Sequence, residues 1–104
     1  MKTIISSTGN TTKSQFDLRF GRAGWFCLLD EETGKTSFIV NEHLDASHGA
    51  GTKAVETVVD LGATKVISGD FGPKAKELLD KFNIQMVIIS DDSNTVAEII
   101  DKIK

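Results

Sequence analysis

Hydrophobic and polar positions along the 104 residues alternate between two periods, and the change of period divides the chain in two. Near the N-terminus the apolar signal is short and β-branched. Thr3 to Ser6 predicts a first strand, followed by the turn formers Ser7, Thr8, Gly9, Asn10, Thr11 and Thr12. Trp25 to Leu29 is apolar at every position, which predicts a second strand covered on both faces. Asp30 to Lys35 is polar and contains a glycine, so it predicts a hairpin turn into a third strand over Thr36 to Val40. Between the first two strands lies a connection from about Ser7 to Gly24. That length in a compact domain implies a functional or partly disordered loop.

After Asn41 the helical period takes over. Ser47 to Thr52 precedes Val55, Val58 and Val59, whose spacing predicts a helix capped by Gly62. Val66 to Ser68 predicts a buried strand. Gly69, Asp70, Phe71, Gly72 and Pro73 then lead into a helix with Ala75, Leu78, Leu79 and Phe82 on one face, the proline suiting its first turn. Ile84 to Ile89 predicts a last strand. Asp91, Asp92, Ser93 and Asn94 supply capping side chains for a final helix with Val96, Ile99, Ile100 and Ile103 in step.

The element order is therefore β, β, β, α, β, α, β, α. Helical crossovers demand parallel neighbours, and the hairpin demands one antiparallel strand. A mixed five-stranded sheet of order 3-2-1-4-5, strand 2 antiparallel and helices on both faces, satisfies both. In that topology the loops at residues 7–24, 41–48, 69–73 and 90–93 share one rim, where open α/β sheets bind ligands.

Composition narrows the function without assigning it. With 39% hydrophobic and 26% charged residues, the chain reads as one soluble domain spanning 1–104. No apolar run is long enough for a signal peptide or membrane span, which points to the cytoplasm. A formal net charge of -3, with no basic run, argues against nucleic acid. One cysteine, Cys27, forms neither an internal disulfide nor a multi-cysteine metal site, and its apolar neighbours suit a core position.

Both arginines, Arg19 and Arg22, lie in the segment Leu18 to Phe26, beside the single tryptophan, Trp25. Planar guanidinium groups suit diffuse anions, so the pair reads either as an anion contact or as two solvated side chains flanking a turn. The expected rim adds His48, Gly49, Gly51, Gly69 and Gly72, whose glycines allow a ligand close to the backbone or simply shape strand-to-helix turns. His48 reads as a neutral donor or ligand, or as a solvated residue ahead of a helix; Trp25 fits either the rim or the core. His43 reads as surface. Asp17, Asp70, Asp91 and Asp92 offer carboxylates enough for magnesium, or for capping and solubility alone. The first strand carries no carboxylate of the kind a polynucleotidyl transferase needs there, and no GxSxG, Walker or HExxH pattern occurs.

Arg19 to Phe26, RFGRAGWF, resembles the HFGRAxxF signature of the dinitrogenase iron-molybdenum cofactor biosynthesis family. His48, Gly49 and Ala50 resemble its HGA segment, and the stretches from Gly62 to Ile67, Gly69 to Pro73 and Phe82 to Val87 resemble its second half. The likeness spans nearly the whole chain and has relatives in anaerobes. It implies a ribonuclease H-like three-layer α/β/α fold and a non-catalytic carrier or assembly protein. The implied ligand is an anionic molybdenum-containing metal-sulfur cluster, of the molybdenum-copper sulfide or iron-molybdenum type, and the implied partners are other cluster-assembly or ATPase proteins. Arg19, Phe20, Gly21, Arg22, His48, Gly49, Gly51, Gly69 and Gly72 are the residues that would hold it. Arg19 stands where the signature has histidine, which replaces a metal ligand by a cation and favours electrostatic, noncovalent holding. The competing reading from the same fold is a magnesium-dependent phosphoryl-transfer enzyme or nuclease using Asp70, Asp91 and Asp92.

Overall fold

A computed structural model describes residues 1–103. Its elements are β1 (Lys2–Ser7), β2 (Trp25–Asp30), β3 (Thr36–Val40), α1 (Ala50–Asp60), β4 (Lys65–Ser68), α2 (Pro73–Lys81), β5 (Gln85–Ile88) and α3 (Val96–Ile103). The sheet has the order β3-β2-β1-β4-β5, with β2 antiparallel to β1 and β3, and the β1–β4 and β4–β5 pairs parallel. Crossover lengths and the hairpin dictate this arrangement, and the expected strand order holds.

Alternation along the strands builds two cores. Ile4, Phe26 and Val66 point to the face covered by Ala54, Val55 and Val58 of α1 and Ala75 and Leu79 of α2. Ile5, Cys27 and Ile67 point to the other face, under Val96, Ile99 and Ile100 of α3. Cys27 is fully buried, and burial pushes its thiol pKa up to about 12. Trp25 is half-buried, opposite Ser7 and Val40 at the rim end of β2.

The long connection at residues 8–24 is an ordered strap across the carboxyl ends of β1 and β4. Phe16 and Leu18 pack on the α3 side, whereas Phe20 and Ala23 pack on the α1 and α2 side. The strap therefore changes faces at Arg19. Its length is explained by the two cores it must seal.

Two expectations about helix starts need correction. The last helix is capped by neither Asp91 nor its neighbours: the Glu98 amide donates to Thr95 Oγ1 at 3.2 Å while the Thr95 amide donates to Glu98 Oε1 at 2.8 Å, a capping box. The Asp91 carboxylate instead accepts the Ser93 amide at 2.9 Å, which pulls its pKa down. The first helix begins at Ala50, so Gly51 and Thr52 belong to its first turn rather than to the loop ahead of it.

Candidate functional site

Side-chain and main-chain bonds fix the strap where it crosses the rim. The Ser6 hydroxyl donates to the Asp17 carbonyl at 2.6 Å and shares a 2.7 Å hydrogen bond with the Ser68 hydroxyl, both serines being fully buried. The Gly69 and Asp70 amides donate to the Leu18 carbonyl, and the Phe20 amide donates to the Asp70 carbonyl at 3.0 Å. Arg19 thereby forms a parallel bridge with Asp70 just past the end of β4. Downstream, Asn41 Nδ2 donates to the Gly21 carbonyl at 3.0 Å and to the Ala23 carbonyl at 2.9 Å. The phenyl ring of Phe20 fills the space below, 5.8 Å from Phe26 and 5.3 Å from Phe71 between ring centroids.

A depression of about 500 Å³ opens above this floor. Strap residues Arg19, Phe20, Gly21 and Arg22 line one side; Gly49, Ala50, Gly51 and Thr52 line a second, and Asp70 to Ala75 a third. Neither helix that opens into it has a side-chain cap. An α-helix leaves its first amides without intrahelical acceptors, so the two starts present donors and the positive ends of two dipoles. α3 differs: besides its capping box, the Val96 and Ala97 amides donate to the strap carbonyls of Ser14 and Thr12 at 2.9 and 2.8 Å. Among the described helices, α1 and α2 are the ones without a side-chain cap, and both open into the depression.

Both arginines stand at its edge, in different electrostatic states. Arg19 makes a fork to the nearly buried Asp17, Nε to Oδ1 and Nη2 to Oδ2 at 3.2 Å each, and the Arg19 amide also donates to Oδ1. This hydrogen-bonded pairing raises the guanidinium pKa further. Arg22 Nη1 donates to the Leu44 carbonyl at 2.7 Å, an uncharged partner that leaves the positive charge in place.

Of the nine residues expected to hold a ligand, seven line this depression: Arg19, Phe20, Gly21, Arg22, Gly49, Gly51 and Gly72. His48 and Gly69 do not. His48 is exposed just ahead of α1, while Gly69 lies against Leu18, where a methyl group would meet Leu18 Cδ2 at 2.7 Å and the Leu18 carbonyl oxygen at 2.9 Å. Its lack of a side chain serves the strap. Lys74 lines the depression and carried no sequence signal beyond its place after Pro73; Asn41 acts on the strap from outside it, whereas Asp17 lies within the strap, two residues before Arg19.

The magnesium reading finds no assembled site. Among the described residues no group of three histidine, cysteine, aspartate or glutamate side chains is placed to hold a metal ion. Asp17 is committed to Arg19, and Asp70 Oδ1 accepts the Gly72 amide at 3.1 Å. Among the described residues, no helix is long and apolar enough to cross a membrane.

Comparison with known proteins gives a consistent picture. The apo form of the orange protein from Desulfovibrio gigas superposes with a TM-score of 0.92 at 27% identity, covering 98% of this chain and 85% of that one. A putative NifB protein from Thermotoga superposes at 0.84 with 31% identity, again covering 98% and 85%. None of the curated proteins compared matches. The family model described as dinitrogenase iron-molybdenum cofactor matches residues 1–104. With that match over its whole length, the chain belongs to the dinitrogenase iron-molybdenum cofactor family.

Proposed function

We propose that residues 1–104 act as one non-catalytic domain that binds, carries or helps assemble an anionic molybdenum-containing metal-sulfur cluster in the cytoplasm. The cluster, of the iron-molybdenum or molybdenum-copper sulfide type, is cargo held by charge and hydrogen bonds. The observation that carries this reading is the pair of uncapped helix starts opening into one depression edged by Arg19 and Arg22. Family membership supports the molybdenum-containing class of ligand.

The donor set suits outer-sphere holding rather than covalent ligation. Sulfide and oxide faces of such a cluster accept hydrogen bonds from amides and guanidinium groups, which act best on negative charge in a partly desolvated pocket. Thiolate ligation has no support, because Cys27 lies in the core under α3 and its thiol holds its proton.

Anaerobic titration with tetrathiomolybdate, with and without copper, tests the reading through charge-transfer absorption. Saturable binding is expected, weakened about tenfold or more by Arg19→Ala combined with Arg22→Ala, since each charged hydrogen bond contributes about 1.5–3 kcal/mol. No saturable spectrum, or one indifferent to the double substitution, overturns it.

A further inference from the structure

Lys74 breaks a local rule. Cations are disfavoured at a helix N-terminus, where the dipole is already positive, yet α2 begins Pro73, Lys74, Ala75, Lys76 with no acidic residue in its first turn. α1 has none either, although the third helix, α3, carries Glu98 there. Both helices that lack a first-turn carboxylate open into the depression, and of the two lysines at the start of α2, Lys74 lines it and Lys76 does not. Among the described residues Lys74 forms no ion pair. Lys74 is exposed, so its charge faces solvent at the depression and is free to meet an anion there.

The charges at the depression are unequal in effect. Asp17 takes up much of the charge of Arg19, and Asp70 contributes a carboxylate to the lining. Arg22 and Lys74, on different walls, form no ion pair among the described residues, and two helix dipoles add to them.

We propose that the depression reads ligand charge, preferring multiply charged anions over singly charged ones of the same shape, and that Lys74 is the residue that sets this preference. Asp70 opposes it from the same wall. The inference rests on the cluster-binding reading and adds to it a specificity-determining residue and a charge class. Neutralising Lys74 removes attraction in proportion to ligand charge, so it lowers affinity most for the most highly charged ligand.

Three tetrahedral tetrathiometallates differ in charge at nearly constant shape: tetrathioperrhenate is singly, tetrathiomolybdate doubly and tetrathiovanadate triply charged. Each is titrated anaerobically into the purified chain at fixed ionic strength and followed by visible absorption. Affinity is expected to rise about fivefold per added charge, the scale of one close charge pair in water. Lys74→Met is expected to flatten that rise to about twofold, Lys74→Arg to restore it, and Asp70→Asn, which keeps the oxygen that accepts the Gly72 amide, to steepen it. Lys74→Met is also expected to keep or raise the melting temperature, so misfolding is not the cause of a loss. Equal affinity for all three anions, or equal weakening of all three by Lys74→Met, overturns this inference and leaves the cluster-binding reading standing. Absence of binding by any of them overturns both.

Discussion

A methyl group at residue 21 would stand 2.9 Å from the Gly51 amide nitrogen and 3.0 Å from its Cα, both backbone atoms that cannot swing aside. Gly21 therefore lets the strap touch the first turn of α1. Gly49 and Gly72 serve differently: a Cβ at either meets nothing within 4 Å, but φ is +72° and +75°. The two are separable, because Gly49 has a left-handed helical ψ of 22° that asparagine tolerates, whereas Gly72, at ψ 158°, occupies a region close to glycine-only. Chemical denaturation should find Gly49→Asn nearly neutral and Gly72→Asn destabilising by about 1–3 kcal/mol. Equal costs would mean that the difference in ψ does not separate the two positions. Asn41 is the fourth residue on which the site depends: removing its amide leaves the Gly21 and Ala23 carbonyls without that donor. Asn41→Ala should cost about 2 kcal/mol or more, each buried unsatisfied group costing roughly 1–3 kcal/mol. The same variant should weaken tetrathiomolybdate binding although residue 41 lies outside the depression.

At the scale of elements, each helix start carries its own chemistry. α3 is closed by Thr95, Glu98 and two strap carbonyls, while α1 and α2 are left open. Thr95→Ala should lower stability by about 1 kcal/mol, the usual worth of a side-chain cap, and leave anion affinity unchanged. A change in affinity would show that the strap transmits the state of α3 to the depression. These starts also mark what the sequence made legible. The strand order followed from loop lengths, since a six-residue polar turn permits only a hairpin and helical connections only parallel pairs. The cap of α3 did not, although Thr95 and Glu98 have the spacing of a capping box, because four cap-forming side chains immediately upstream offered a competing signal. Glycines marked the starts of α1 and α2 in the sequence, but that neither has a side-chain cap emerges only from the structure. What the glycines contact was not legible either: Gly69 against Leu18 and Gly21 against Gly51 are meetings across 30 or more positions of chain, set by tertiary packing alone.

On the scale of the molecule the sheet has two ends with separate tasks. The carboxyl ends of the parallel strands carry the strap, the helix starts, Arg19, Arg22 and Lys74. The opposite end carries a polar cluster that stabilises the fold without touching the depression: Glu31 accepts the Thr3 hydroxyl at 2.6 Å and pairs with Lys65 Nζ at 3.1 Å. The Thr3 hydrogen bond, and then Lys65, hold the Glu31 pKa below the usual glutamate value. A carboxylate whose folded-state pKa is depressed contributes stability that is fully present above its unfolded value, near pH 4.3, and is lost as pH falls through the lower folded value. Glu31→Gln should therefore reduce melting temperature at neutral pH and make it less dependent on pH below about 4.3. Because distant sites without shared partners act additively, the same substitution should leave the affinity for tetrathiomolybdate unchanged at any pH where the variant is folded. A parallel shift in affinity would mean that strain passes along β1 and β4, the strands that join Thr3 and Lys65 at one end to Ser6 and Ser68 beneath the strap at the other.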